Sequence, residues 1–269
     1  MYIDTHAHLN YEDRYGNTDT LIARIREAGV GLVIDTGWDL PSSRLAKEQA
    51  DRYDIVYFAA GIHPSDAGTF NPDAPAELKS ILADGKGLAV GEIGLDYHYP
   101  GFDRTLQQDV FRAQIELADK LGLPFVVHSR DAAEDTLRTL KECRGLLSRG
   151  FVMHCFSGSP ETAREFVKLG GYISFAGPVT FKNARRLDEV AKSVPADRIL
   201  TETDSPYLAP EPFRGTLNTP MNVVKVCEKI AALRGIPVPA LAEQVRRNVL
   251  SLYGKLNATW KPTPPLPMN

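Results

Sequence analysis

Short apolar runs alternate with amphipathic segments along nearly the whole chain. Each run contains apolar residues at consecutive positions, which is typical of a strand that is buried on both faces. The eight runs are Tyr2–His8, Gly31–Gly37, Ile55–His63, Leu88–Gly94, Phe125–His128, Phe151–His154, Tyr172–Gly177 and Ile199–Asp204. The amphipathic segments carry apolar residues at helical spacing. They include Asp19–Ala28, Leu106–Leu121, Pro160–Leu169, Met221–Arg234 and Pro239–Tyr253.

Strands that alternate with helices predict a parallel sheet with helices on its outer faces. Eight such units in a chain of 269 residues predict an α/β fold, a single-domain (β/α)8 TIM barrel. A doubly wound open sheet is the alternative, and it would place a Gly-x-Gly-x-x-Gly turn after the first strand. His6-Ala7-His8 stands there instead, so the barrel is favoured. We expect the barrel to span residues 1–254 and a proline-rich C-terminal tail, extended or frayed, to span residues 255–269.

The net charge of −3 gives no strong basic field, so any attraction for a polyanion must be local. The three cysteines are Cys143, Cys155 and Cys227, an odd number without paired spacing, which indicates a reducing compartment. The first strand begins at residue 2, which leaves no room for a signal peptide, and no apolar run is long enough to span a membrane. We therefore expect a cytoplasmic protein without membrane association, and we infer no obligate protein partner.

Side chains that bind metals recur at the ends of the predicted strands. These side chains belong to His6, His8, His63, Glu92, His128, His154 and Asp204. Active sites of (β/α)8 barrels are built from this end of the strands, and His6 and His8 share one face of their strand. Five of the six histidines end strands and only His98 does not, which favours a metal site over unrelated polar strand ends.

Four of these histidines and two carboxylates are too many for one tetrahedral ion with an open position, but they suit two ions about 3.5–4 Å apart. We predict that Glu92 bridges two divalent ions, which would be Mg²⁺, Mn²⁺ or Zn²⁺. The first ion would take His6, His8, Glu92 and Asp204, and the second would take Glu92, His128 and His154. A metal-activated water would be the nucleophile, with Asp204 as its base.

Two neighbours of these residues carry separate predictions. Cys155 follows His154 directly, so on a strand it would point to the opposite face, into the helical layer. Glu202 is two residues before Asp204, so on a strand both side chains lie on the same face, with Glu202 one layer deeper in the barrel. We predict that Glu202 orients a ligand histidine or a bound water.

The motifs around these residues resemble the TatD family of metal-dependent deoxyribonucleases, within the amidohydrolase-like barrels. The resemblance runs from Ile3 to Asn248. Its motifs are Ile3-Asp4-Thr5-His6-Ala7-His8, Gly61-Ile62-His63-Pro64, Gly91-Glu92-Ile93-Gly94-Leu95-Asp96-Tyr97, His128-Ser129-Arg130-Asp131-Ala132, His154-Cys155-Phe156-Ser157-Gly158 and Glu202-Thr203-Asp204-Ser205-Pro206-Tyr207-Leu208.

The resemblance implies the same six ligands, with His63 and Arg130 facing substrate phosphates. In the loop after strand 8 the family carries Arg-Gly-x-x-Asn-Glu-Pro. This chain has Arg214 in that motif, but Thr219 replaces the acid, which leaves the substrate preference open. His63, Arg130 and Arg214 would together supply positive charge near the mouth, although the arginines equally suit salt bridges at the barrel rim.

By resemblance, the expected activity is phosphodiester hydrolysis in DNA, as a 3′-5′ exonuclease on single-stranded ends. The alternative is a two-metal amidohydrolase, phosphotriesterase or lactonase that acts on a small molecule. A non-catalytic binding barrel is a third interpretation, which the complete set of ligand residues disfavours. Tyr97, Tyr99 and Phe102 suit base stacking and loop packing equally, so they stay outside the predicted site.

Overall fold

Eight parallel strands form the barrel, and each pairs with the next one along the chain. The structure is a computed structural model that describes residues 1–260, apart from the side chains of residues 12, 258 and 259. The strands are β1 (Tyr2–Ala7), β2 (Val30–Thr36), β3 (Val56–Ala60), β4 (Gly87–Asp96), β5 (Phe125–Arg130), β6 (Phe151–Met153), β7 (Gly171–Phe175) and β8 (Ile199–Thr201). The predicted (β/α)8 TIM barrel is confirmed.

Helices follow the strands and cover the outside of the barrel. Those of the described residues are α1 (Glu12–Tyr15), α2 (Thr18–Glu27), α3 (Leu40–Arg52), α4 (Ala74–Leu82), α5 (Arg104–Leu121), α6 (Ala133–Glu142), α7 (Pro160–Lys168), α8 (Arg185–Ser193), α9 (Val223–Arg234), α10 (Val238–Leu252) and α11 (Leu256–Thr259). The five predicted helices are all present, with ends within two residues of the predicted ones. Within the described residues, no helix combines the length and apolar character needed to cross a membrane.

The strands are buried on both faces, as their continuous apolar runs predict. Every residue of β3, β4 and β7 is buried. The rings of Phe125 and Phe151, on neighbouring strands, stack with their centroids 5.4 Å apart. Burial of these aromatic and aliphatic side chains is the main favourable contribution to the free energy of folding of such a barrel.

The barrel closes between β8 and β1 through a small number of hydrogen bonds. The Asp204 amide donates to the His6 carbonyl at 2.9 Å, and the His8 amide donates to the Ser205 carbonyl at 2.8 Å. Deeper in the seam, the Thr201 hydroxyl donates to the Ile3 carbonyl at 3.1 Å. These bonds hold His6 and His8 beside the loop that carries Asp204.

Residues 255–260, which were predicted to start the tail, pack against the barrel. The Lys255 ammonium donates to the carbonyls of Leu82, Asp84 and Gly87, next to the start of β4. Leu256 is buried and Trp260 is 9% exposed, and both belong to the hydrophobic core. The boundary predicted after residue 254 therefore falls inside a packed region, and the predicted proline-rich segment 261–267 lies outside the described residues.

Candidate metal centre

A cavity of about 1010 Å³ opens at the carboxyl ends of the strands. Seven of the predicted site residues line it, namely His8, His63, Glu92, His128, Arg130, His154 and Asp204. His6 is fully buried beside them. The structure therefore brings these eight residues together at one end of the barrel.

Several of these residues follow their strands rather than end them. The strands β3, β6 and β8 stop before His63, His154 and Asp204, because the chain turns out of the sheet there. Asp204 has a left-handed backbone, with φ of 56°, a conformation that is uncommon for a residue other than glycine. This turn keeps its carboxylate over the barrel mouth, next to His6 and His8.

One group of ligand atoms gathers around His6 of β1 and His8, the first residue after that strand. The Nε2 atoms of His6 and His8 lie 3.3 Å apart. Each lies 3.5 to 4.0 Å from Oε2 of Glu92 and Oδ1 of Asp204. Four ligand atoms around a tetrahedral zinc ion are separated by about 3.3 Å, so a small contraction of this group would suit one ion.

A second group gathers around the other carboxylate oxygen of Glu92. Its Oε1 atom lies 2.9 Å from Nδ1 of His128 and 2.9 Å from Nε2 of His154. His63 is nearby, with Nε2 3.8 Å from the same oxygen. The two oxygens of Glu92 thus face two different histidine groups, which is the arrangement of a carboxylate that bridges two ions.

Glycines on β4 and its neighbours allow Glu92 to reach the centre. The β4–β5 register shifts between Val90 and Ile93, so Glu92 lies in an irregular part of the strand. A Cβ atom on Gly61 would lie 2.8 Å from the Gly91 carbonyl carbon, and one on Gly94 would lie 2.0 Å from the His128 carbonyl oxygen. The Gly-Glu-Ile-Gly motif therefore reflects close backbone approach as well as the ligand itself.

Hydrogen bonds fix the orientation of two of the imidazole rings. Nδ1 of His8 donates to the Thr36 carbonyl at 2.8 Å, and Nδ1 of His154 donates to Oε1 of Glu202 at 3.0 Å. In both rings Nε2 then faces the centre with a free lone pair when the imidazole is neutral. Glu202 also accepts from the Cys155 amide at 2.6 Å, so it lies where the sequence predicted a residue that orients a ligand histidine.

The charges of the groups also suit divalent cations. Burial alone would raise the pKa of Glu92, but His154 and His128 outweigh it and hold that pKa well below its usual value. Burial would likewise lower the pKa of His154, yet Glu92 and Glu202 hold it well above normal. Without an ion, protons on the histidines balance the carboxylates, and a bound cation would take their place.

His63 differs in charge from the sequence expectation. Burial lowers the pKa of His63 to about 3, so this imidazole is neutral and the prediction that it adds positive charge is wrong. The Ser65 amide donates to Nδ1 of His63 at 3.1 Å, which leaves the proton on Nε2, facing Glu92. His63 therefore offers the cavity a hydrogen-bond donor rather than a cation.

The two arginines have different positions. Arg130 lines the cavity, and its guanidinium lies 5.2 Å from the centre of the Tyr99 ring. Arg214 is exposed, stacks on Phe181 at 4.3 Å and is absent from the cavity wall formed by the described residues. Thr219 does not line the wall among these residues either. The substrate contact predicted for Arg214 is therefore not supported by its place in this structure.

Sequence reasoning missed Asp96 and misplaced Cys155. Oδ2 of Asp96 lies 2.9 Å from Nε2 of His128, and the carboxylate lines the cavity. Asp96 is four residues after Glu92 on the same strand, so the alternation of side chains could have revealed it. Cys155 also lines the cavity, contrary to prediction, because β6 ends at Met153 and Cys155 has a left-handed φ of 41°.

Comparison with known proteins agrees with this geometry. The family model described as TatD related DNase matches residues 3–254. The uncharacterized metal-dependent hydrolase YabD of Bacillus subtilis is 43% identical over 94% of this chain and 99% of its own length. The corresponding hydrolase YcfH of Escherichia coli K12 is 38% identical over 93% of this chain and 95% of its own.

A solved structure shares both the sequence pattern and the fold. The crystal structure of YjjV, a TatD homolog from Escherichia coli K12, is 30% identical and superposes with a TM-score of 0.88. The match covers 94% of this chain and 98% of YjjV. This chain therefore belongs to the TatD family of metal-dependent hydrolases.

Proposed function

We propose that this protein is a metal-dependent deoxyribonuclease that hydrolyses phosphodiester bonds from the 3′ end of single-stranded DNA. The observation that carries the proposal is the position of Glu92, whose two carboxylate oxygens face two separate groups of ligand atoms. This arrangement suits two divalent ions, Mg²⁺, Mn²⁺ or Zn²⁺. The first would be held by His6, His8, Glu92 and Asp204, and the second by Glu92, His128 and His154.

The ions would supply an activated water and would stabilise negative charge on the phosphoryl oxygens. The residues of the chain then have separate tasks. Asp204 would accept the proton of the attacking water, since its carboxyl is ionised: His8 and the other histidines overcome the effect of burial and keep its pKa below the usual value. His63 would donate a hydrogen bond through Nε2, and Arg130 would contact a phosphate from the cavity wall.

The size and depth of the cavity favour a strand end as substrate. Its volume of about 1010 Å³ is at the upper end of the range for small-ligand sites, so it has room for more than one nucleotide unit. His6 and the barrel core close the bottom of the site. A strand can therefore enter from one end only, which favours exonuclease over internal cleavage.

A cytoplasmic location forms part of the same proposal. Cys143, Cys155 and Cys227 are all free thiols, which is the usual state in a reducing compartment.

The test is hydrolysis of a 5′-labelled single-stranded oligonucleotide by protein stripped of metal and then supplied with Mg²⁺, Mn²⁺ or Zn²⁺. We expect a metal-dependent ladder that shortens from the 3′ end. Attack from the 5′ end would instead release the label at once as a mononucleotide. Glu92→Gln should lose the activity, while Glu116→Gln, which changes an exposed glutamate of α5, should keep it.

One result of this test would contradict the nuclease proposal. If the wild-type protein binds metal but cleaves no single-stranded DNA with any of the three ions, the nuclease proposal fails. Small esters, lactones and amides would then be the substrates to test, because the same pair of ions suits their hydrolysis.

A further inference from the structure

Three aromatic side chains form one corner of the cavity wall, beside His8. We call Tyr11, Trp38 and Tyr207 the aromatic corner. The Trp38 ring centre lies 5.6 Å from that of His8 and 5.7 Å from that of Tyr11. The Tyr207 ring centre lies 6.1 Å from that of His8 on the same side of the cavity. The corner thus adjoins the first group of candidate metal ligands directly.

The backbone of Trp38 is held on both sides of the residue. Its amide donates to the Ser42 hydroxyl at 2.9 Å, and its carbonyl accepts from the His63 amide at 2.7 Å. Asp39, the next residue, caps the start of α3 through the Ser42 amide. A ring on such a fixed backbone loses little conformational entropy when a flat ligand stacks on it.

The corner remains accessible and has a cation next to it. Tyr207 is 50% exposed, and Tyr11 and Trp38 are half-buried. The exposed guanidinium of Arg14 lies over the Tyr11 ring, 5.1 Å from its centre. Aromatic surfaces next to a positive charge are the combination that binds single-stranded nucleic acids. Here they also adjoin a group of candidate metal ligands.

We propose that the aromatic corner stacks one unpaired nucleobase beside the scissile phosphate, with Arg14 next to the phosphate backbone outside the cavity. This inference rests on the proposed nuclease function and specifies how its substrate is recognised. Stacking is tolerant of sequence because every base has a π-face, so the corner would select unpaired bases rather than particular ones. A paired base is covered on both faces in a duplex and cannot enter without being unstacked.

The position of the corner distinguishes it from the aromatic residues considered from sequence. Tyr99 and Phe102 line the wall near Arg130, on the loop after β4, and are 54% and 40% exposed. Trp38 and Tyr207, in contrast, each contact the ring of His8. A base on the corner would therefore lie beside the ligands of the first ion.

Tryptophan fluorescence offers a test that does not depend on catalysis. The chain has two tryptophans, and the second, Trp260, is 9% exposed in the core. We would titrate Mg²⁺-loaded protein with deoxyadenosine monophosphate and, as the matched probe without a base, with deoxyribose 5-phosphate. Saturable quenching by the nucleotide and at least tenfold weaker binding of the sugar phosphate are expected. Trp38→Phe should abolish the quenching, because only Trp260 then emits.

Calorimetry on variants measures the contribution of each ring. Trp38→Ala should weaken nucleotide binding about ten- to a hundredfold, and Trp38→Phe should restore most of it. Tyr207→Ala is a second variant that tests the corner at a half-exposed position with little risk to folding. Phe213→Ala removes an aromatic ring of similar exposure, outside the cavity wall of the described residues, and should leave the affinity unchanged.

Equal affinities for the nucleotide and the sugar phosphate would overturn the stacking proposal, as would unchanged nucleotide binding by folded Trp38→Ala and Tyr207→Ala variants. The outcome is separate from that of the hydrolysis test. DNA cleavage without base-dependent binding would support the nuclease proposal and overturn the stacking proposal. Base-dependent binding without DNA cleavage would support the aromatic corner as a nucleotide-binding site and overturn the nuclease proposal.

Discussion

Oε1 of Glu202 accepts a hydrogen bond from Nδ1 of His154 at 3.0 Å, and both side chains are almost completely buried. The bond keeps the proton of a neutral His154 on Nδ1, so that Nε2 faces Glu92. Glu202 is itself held by the Ser174 hydroxyl and the Cys155 amide. We therefore propose that Glu202 positions His154 within the second group of ligand residues.

Replacement of Glu202 should weaken metal binding without removing a ligand. We expect Glu202→Ala to lower the metal affinity of the second group about 10- to 100-fold. Glu202→Gln should have a smaller effect, because its amide oxygen can still accept from Nδ1. Competition with a chromophoric zinc chelator would measure both affinities, and circular dichroism would show whether each variant is folded. Equal affinities in the wild type and both variants would contradict the positioning role.

Metal binding should release protons, and it should weaken as the pH falls. Glu92 and Glu202 raise the pKa of His154 well above normal against the effect of burial, so this imidazole is protonated in the metal-free protein at pH 7. An incoming ion must displace that proton. For each displaced proton, the metal affinity should fall about tenfold for every pH unit below the raised pKa.

The carboxylates of the centre should release no protons near neutral pH. The pKa values of Glu92 and Asp204 are both lowered, since the neighbouring histidines overcome burial, so both groups are already ionised. Calorimetry in two buffers of different ionisation enthalpy would count the released protons. We expect fewer for Glu202→Gln, because the loss of its charge lowers the pKa of His154. Zero release by the wild type at pH 7 would contradict this charge assignment.

His63 should assist the reaction as a neutral donor. A hydrogen bond to a charged group contributes about 1.5–3 kcal/mol, so His63→Ala should lower kcat/KM for DNA hydrolysis about 10- to 100-fold. Metal content should stay unchanged. His98→Ala, which removes a surface histidine paired with Asp131, is the control.

The pH profile adds an independent check on His63. Burial lowers its pKa to about 3, so it should contribute no inflection to kcat/KM between pH 5 and 8. Loss of bound metal in His63→Ala would instead identify His63 as a ligand.

Gly94 should be far less tolerant of a side chain than a glycine with open surroundings. Gly94 has φ of 137°, and a Cβ atom there would lie 2.0 Å from the His128 carbonyl oxygen. Gly101 also has a positive φ, of 98°, but has no atom within 4 Å of the added Cβ. Gly94→Ala should therefore lower the free energy of unfolding by at least about 2 kcal/mol more than Gly101→Ala. Urea denaturation would measure both, and similar values would refute the steric argument.

The gathering of candidate ligands at the strand ends was predictable because two rules apply to the strands. Apolar runs that alternate with helices determine a parallel barrel, and parallel strands all end at the same face. It follows that His8, Glu92, His128 and Asp204 meet, although they are far apart along the chain. Asp96 obeys the same alternation rule, so its place beside His128 could have been predicted as well.

Other features depend on how the chain leaves the strands. The left-handed turn at Cys155 aims its side chain into the cavity, and strand alternation does not describe a turn. Trp38 joins the wall because its backbone is bound by Ser42, at the start of α3, and by His63, in the segment after β3. Such contacts are set by side-chain packing around the barrel, which a local pattern does not contain.

The sequence by itself determined the barrel, the end of the barrel that carries the site and the residue types that could bind metal, because these follow from periodicity and residue chemistry. Only the tertiary structure decided that Glu92 directs one oxygen to each histidine group and that His63 is neutral. Distances and burial decide both properties, and both arise from contacts between segments that are remote in sequence.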